Sequence, residues 1–342
     1  MMEYLYCSTF GETPEDGINL IKLVNASETA LIEVKQAAML KNLEYMTGTK
    51  DGYLYAAGRY GPDRSYIQSF RIDRENGLLD SVDCRTFDWK GISYMSVDSK
   101  EEHLLAAAYG SGRITAVGIS GGKIGSQTAD IAFDGCGPVE TRQEHSHPHF
   151  IECTGGICYM ADLGGDAWYY IEENGLAADS AWHRMEERPG SGPRNMAFHP
   201  SKEILYLLAE LSNELVVYGK SENNRWKAMQ RICLDCAGVK DSLASVLQIT
   251  PDGDRLYAGV RGLNQIKEFI VEPEGTLREA RLFTSCGWPR SFLYREENAL
   301  LIVNEEYGDS KGALELWDLK TGHRSGYRAL SGAMQIYRIV LP

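Results

Sequence analysis

Three histidines, His145, His147 and His149, stand at alternate positions in the stretch EHSHPHF, in a chain that holds only seven. Imidazoles spaced in this way can ligate a metal, exchange protons near neutral pH, or occupy an exposed loop. Other chemistry-bearing residues recur downstream: Arg194 in GPRNMAF, Glu210 in LYLLAE, Arg261 in LYAGVR and Arg290 in WPRSFLY. Arg59 in LYAAGR and Tyr109 in LLAAAY belong to similar phrases. An imidazole, a carboxylate and several guanidiniums together could activate water and hold an anion. Whether they meet depends on the elements that carry them.

Those elements are strands. Short runs rich in Tyr, Val, Ile and Leu are broken by Gly, Asn, Asp and Pro, and no long helical periodicity appears. One unit recurs. Residues 193–232 run through an apolar strand, a turn, a Leu-Tyr strand, a polar tip, a third strand and a fourth. Residues 244–283 repeat it, HPSKEI matching TPDGDR, and related units begin at Asn42, Gly91, Pro148 and Pro289. The second strands centre near Tyr6, Tyr55, Leu105, Tyr159, Tyr206, Tyr257 and Ile302, at intervals of about 50 residues. Four strands per unit at that period specify a propeller blade. The expected fold is therefore all-β: a seven-bladed β-propeller with four-stranded blades, forming one domain over residues 1–342. The first unit opens directly on its second strand, while AMQIYRIVLP at the end has no unit of its own. Residues 333–341 are expected to supply the inner strand of blade one, closing the ring and covering two open sheet edges.

In such a ring the inner strands line a central channel. His149 opens the inner strand of blade four, and Arg194 and Arg290 hold the equivalent places in blades five and seven. At the ends of the second strands stand Arg59, Tyr109, Asp162, Glu210, Arg261 and Asn304. Taken singly, each suits inter-blade hydrogen bonding; taken together, they place charge around one mouth, where unpaired charge is costly. The longest polar insert, near residues 134–147, precedes blade four and carries the first histidines.

Composition narrows the partners. The chain has 342 residues, 43% of them hydrophobic, and a net charge of −13. An acidic surface argues against nucleic acid and anionic membranes, and no apolar run approaches the roughly 20 residues of a membrane span. The start, MMEYLYCSTF, lacks the basic and apolar regions of a signal peptide, so the cytoplasm is the expected compartment. The eight cysteines are accordingly expected to be mostly small buried hydrophobes, with the Cys233–Cys236 CxxC on strands near the surface rather than a zinc site.

SHPHF, GPRNMAFHP, LYLLAELSNELVVY, ITPDGDRLYAGVRGLNQI and GWPRSF resemble the lactonase family of seven-bladed propellers, which includes bacterial 6-phosphogluconolactonases and the fungal carboxy-muconate lactonizing enzyme. The ordered set HPH, GPR, AE, R and WPR is its specific part, and the resemblance covers essentially the whole chain. It implies a catalytic His149, with Arg194, Glu210 and Arg261 at the family's other functional positions. Two places depart from the pattern: Asn195, often His in bacterial members, and Ala108 in place of Asn.

The expected activity is hydrolysis of a sugar lactone, 6-phosphogluconolactone or a related aldonolactone, without metal or other cofactor. His149, Glu210 and Arg194 are the catalytic candidates. Arg261, His147, Arg290, Arg59, Tyr109 and Asn195 are the candidates for binding a small anionic or sugar lactone. His149 and Glu210 could each serve as acid or base. The alternatives are a non-catalytic propeller that binds a protein or small ligand, and a lactonizing enzyme. A metal held by HSHPH is disfavoured, because Pro148 and strand alternation keep the three histidines from converging; His145 is expected to stay in the loop.

Overall fold

The computed structural model describes residues 2–26, 29–176, 181–221, 225–295, 299–305 and 311–342. Among them lie seven sheets, each of four antiparallel strands, numbered here in chain order. Blade one is ordered β28 (Ala333–Leu341), β1 (Met2–Thr9), β2 (Gly17–Ala26), β3 (Thr29–Met39). The last strand thus pairs with the first, Tyr6 opposite Tyr337 and Cys7 opposite Ile336, and closes the ring as expected. Every other blade is a run of four consecutive strands. Among the described residues no helix is long and apolar enough to cross a membrane.

The hydrophobic core is divided among the gaps between blades. One cluster joins Tyr6 and Ile18 of blade one to Leu43, Leu54 and Phe70 of blade two; another joins Tyr206 and Leu208 to Leu256 and Phe269. The second strands are buried on both faces, which explains their unbroken apolar text, as in ILYLLA. Their tyrosines also lock neighbours. The Tyr6 hydroxyl donates to the Gly77 carbonyl at 2.8 Å, and that of Tyr206 to Gly275 at 3.0 Å. Both glycines sit at positive φ in the turn before an outer strand. A Cβ on Gly275 would stand 2.8 Å from the Ile204 side chain, so glycine serves both the backbone and the contact.

The inner strands are β28, β4 (Leu43–Gly48), β8 (Ile92–Val97), β12 (Pro148–Thr154), β16 (Pro193–Phe198), β20 (Leu243–Ile249) and β24 (Trp288–Arg295). Each is an edge strand facing the channel, and each breaks register once against its neighbour. The steps skip Glu44, Ser93, His149, Arg194, Ser245, Arg290 and Met334. A β-bulge leaves its extra residue unpaired and re-aims the side chain. The seven bulged residues all line the channel. Proline at 148, 193 and 289 fits an edge strand, where a missing N–H breaks no ladder.

This register corrects two sequence alignments. Pro148 pairs with Asp162, Pro193 with Ala209 and Pro289 with Asn304. The counterparts of Glu210 are therefore Leu163 and Glu305, each one residue beyond Asp162 and Asn304. Asp162 is buried and accepts the amides of His147, Gly164 and Gly165. Asn304 is buried and donates to Glu315 at 2.8 Å.

The cysteine expectation is also corrected. Of the described free cysteines only Cys7 is buried; Cys84, Cys136, Cys233, Cys236 and Cys286 are exposed. They fall on outer strands, turns and the insert, where blades meet solvent. Cys153 and Cys158 face one another across β12 and β13 (Ile157–Asp162) and form a disulfide.

Candidate active site

The channel encloses about 990 Å³. Arg59, Tyr109, Arg142, His149, Arg194, Asn195, Glu210, Arg261 and Arg290 all line it. Two rows of residues meet there. The bulges of β12, β16 and β24 present His149, Arg194 and Arg290. The ends of the second strands β5 (Tyr53–Arg59) and β21 (Arg255–Arg261) present Arg59 and Arg261, and Tyr109 and Glu210 follow β9 (His103–Ala108) and β17 (Ile204–Ala209).

Glu210 is the hub. It is fully buried, and its carboxylate meets three guanidiniums: Arg194, Arg142 at 2.6 Å and Arg261 at 3.2 Å. Burial alone would raise its pKa, but Arg194, Arg261 and Arg142 outweigh that and hold it well below the ordinary carboxylate range. Arg194 Nη1 contacts both Glu210 and, at 2.7 Å, His149 Nε2. Because a guanidinium only donates, His149 Nε2 is the accepting nitrogen and the proton rests on Nδ1. Burial, then the neighbouring Arg194 charge, push the His149 pKa well below its ordinary value, so the imidazole is neutral. Arg194 Nε donates to the Ser245 carbonyl at 2.7 Å, which fixes the guanidinium plane. Burial lowers the Arg194 pKa to about 10, with Arg261 and Arg290 adding to the effect against Glu210.

Around this hub the other cations are each partly engaged. Arg290 Nη1 lies 2.9 Å from both Glu305 oxygens, and Arg59 Nε 2.5 Å from Glu44. Arg261 stands over the Trp288 ring, 5.7 Å from its centroid. Five arginines thus share the mouth with Glu44, Glu210 and Glu305, leaving a local surplus of positive charge on an acidic protein. Tyr109 meets His149 edge-on at 5.6 Å.

All the named candidates but one are brought together. His147 is buried behind Tyr109, stacked on its ring at 4.3 Å, and does not line the channel. Its neighbour is His145, with ring centroids 4.0 Å apart. His145 lies in the loop, as expected, and the two histidines that come together are His145 and His147. Pro148 and the bulge at 149 turn His149 the other way. Sequence reading missed Arg142, although it lies in the long insert before blade four. It also missed Glu44, Ser93 and Ser245, whose bulge register would have revealed them. The pattern of an apolar residue or proline followed by one polar residue, present at every inner-strand bulge except that of β28 with Met334, was their signal.

A ring of seven four-stranded blades with a charged channel mouth defines an enzyme-like propeller. Comparison with known proteins makes the class specific. The family model described as "Lactonase, 7-bladed beta-propeller" matches residues 4–320, and the chain belongs to that family. It is thus a lactonase-type enzyme, similar to 6-phosphogluconolactonases. A protein of Bacillus subtilis (strain 168) named 6-phosphogluconolactonase is 29% identical over 319 residues, covering 90% of each chain. Two solved structures share the fold. A putative 6-phosphogluconolactonase from Bacteroides fragilis has a TM-score of 0.84 at 20% identity, covering 99% of this chain and 98% of its own. The periplasmic gluconolactonase of Pseudomonas aeruginosa has a TM-score of 0.85 at 22% identity, covering 100% of both chains.

Proposed function

We propose that this protein hydrolyses the ring ester of an aldonolactone that carries an anionic group, 6-phosphogluconolactone being the first candidate. The observation that carries the reading is the single Arg194 nitrogen shared between a neutral imidazole and a buried carboxylate at the channel mouth. The named activity of the Bacillus subtilis relative supports the substrate class.

The reaction follows from what each group can do. A lactone carbonyl arriving at Arg194 Nη1 competes with His149 for its proton donor and frees the Nε2 lone pair. His149 then takes a proton from water as the oxygen attacks the carbonyl carbon. Arg194 and Arg261 stabilise the oxyanion that forms. On collapse the ring C–O bond breaks, and the imidazolium returns the proton to the departing alkoxide, giving an open hydroxy acid. Glu210, ionised and engaged by three arginines, positions those cations rather than accepting the proton. Arg290, Arg59 and Arg142 supply donors for a phosphate or carboxylate, which guanidinium forks match well. Asn195 and Tyr109 complete the wall around the sugar.

The test is turnover of 6-phosphogluconolactone and unphosphorylated aldonolactones by EDTA-treated protein, read against the spontaneous rate. No acceleration on any of them would overturn the assignment.

A further inference from the structure

We propose that Glu144, His145 and His147 form a binding site for a zinc-class divalent cation, set in the loop outside the channel wall. One ring nitrogen of His145, one of His147 and a Glu144 carboxylate oxygen all lie within 4.8 Å of one another. Glu144 Oε1 stands 3.2 Å from His147 Nε2 and 3.8 Å from His145 Nε2.

The other ring nitrogens decide what these atoms are. His145 Nδ1 is 2.7 Å from the Ser146 carbonyl, and His147 Nδ1 is 3.0 Å from the Tyr109 carbonyl. A carbonyl oxygen only accepts, so each Nδ1 carries the proton. In the neutral imidazoles both Nε2 atoms then bear lone pairs, and both face an acceptor-only carboxylate. Three acceptors aimed at one point repel unless a proton on one imidazole or a metal cation lies among them. A ligating histidine that donates its far N–H to a backbone carbonyl is the usual support for a bound metal.

Size and setting agree. With bonds of about 2.0–2.1 Å, tetrahedral ligand atoms stand roughly 3.4 Å apart. The two Glu144 legs already bracket that figure, and the His145 side chain is half exposed. The segment beneath is fixed before any ligand arrives. Asp162 accepts from the His147 amide at 2.7 Å and the Ser146 hydroxyl at 2.8 Å. Gly164 packs so closely that a Cβ there would lie 1.8 Å from the His145 carbonyl. The exposed sides of Glu144 and His145 leave room for water to fill the remaining positions. Two imidazoles and one carboxylate suit zinc better than magnesium or calcium, which favour oxygen.

The cation would sit behind Tyr109 and away from His149. It would clamp the end of the insert that delivers Arg142 to Glu210, without taking part in the reaction. This inference does not rest on the proposed activity.

The test is ZnCl2 titration of the apo protein by calorimetry, alongside His145→Ala, Glu144→Gln and Cys233→Ser. The wild type should bind one more equivalent than His145→Ala, and Cys233→Ser should keep that equivalent. Glu144→Gln should bind at least about 10-fold more weakly. Saturating ZnCl2 should raise the Tm of the wild type by about 3 °C or more, but not that of His145→Ala. Equal zinc uptake by wild type and His145→Ala, or no saturable uptake by either, would overturn the site.

Discussion

Arg194 Nη1 lies 2.7 Å from His149 Nε2 and also contacts Glu210, so one guanidinium nitrogen joins adjacent blades and two opposite chemistries. It holds the imidazole lone pair in reserve and the carboxylate in its ionised form.

Replacing His149 with Ala removes the proposed base from a bulge and breaks no ladder bond. Turnover should fall by about 10²–10⁴-fold, the range of general base catalysis. The fold should persist, checked by circular dichroism and by a Tm close to the wild type. Turnover above a tenth of wild type would exclude His149 as the base.

Arg290 and its partner Glu305 stand at the rim of the hub. If Arg290 holds the distal anion, Arg290→Ala should raise KM for the phosphorylated lactone about 10-fold or more with little change in kcat. An unphosphorylated lactone should show a much smaller change. Steady-state kinetics on the pair of substrates separates this from a general loss of structure.

Removing Glu210 leaves three guanidiniums crowded in a buried space. Glu210→Ala should cost about 3–5 kcal/mol, the range for breaking a buried ion pair. Equilibrium urea unfolding measures it. A variant within 1 kcal/mol of wild type would show that the arginines relax into solvent.

The same carboxylate sets an acid limit. Its folded pKa lies well below the ordinary 4.5, so the folded state binds its proton less readily than the unfolded chain. That stabilisation is complete above the unfolded value and fades as pH falls through the folded one. The stability gap between wild type and Glu210→Gln should therefore be steady from pH 7 to pH 5. It should narrow only at lower pH, as urea midpoints across the series will show.

Deleting residues 333–342 removes β28, the inner strand of blade one. Its pairing with β1 and its packing on β4 and β24 would vanish, exposing strand edges on both sides of the seam. The truncated chain should lose cooperative unfolding or aggregate. A monomer with unchanged melting would refute the closure as a structural requirement.

Much of the fold was legible because a blade is written by local rules. Alternating apolar strands and turn residues mark each unit, and the missing first strand and surplus last one announced the closure. His149, Arg194 and Arg290 could be aligned because proline precedes each of them. The alignment slipped at Asp162 and Asn304, where one residue of register separates a channel position from a structural one. Sequence spacing cannot show a bulge, which is defined by the partner strand.

The sequence by itself determined the repeat, the ring and the residue types at its mouth, because strand period and turn chemistry act over a few residues. Only the tertiary structure decided which of them touch. Arg142 and Glu210 are 68 residues apart yet share a hydrogen bond, and His147 is separated from His149 by one proline yet faces another neighbour. Those outcomes depend on how bulges and blade-to-blade packing aim side chains in space, and no local pattern in the chain records that.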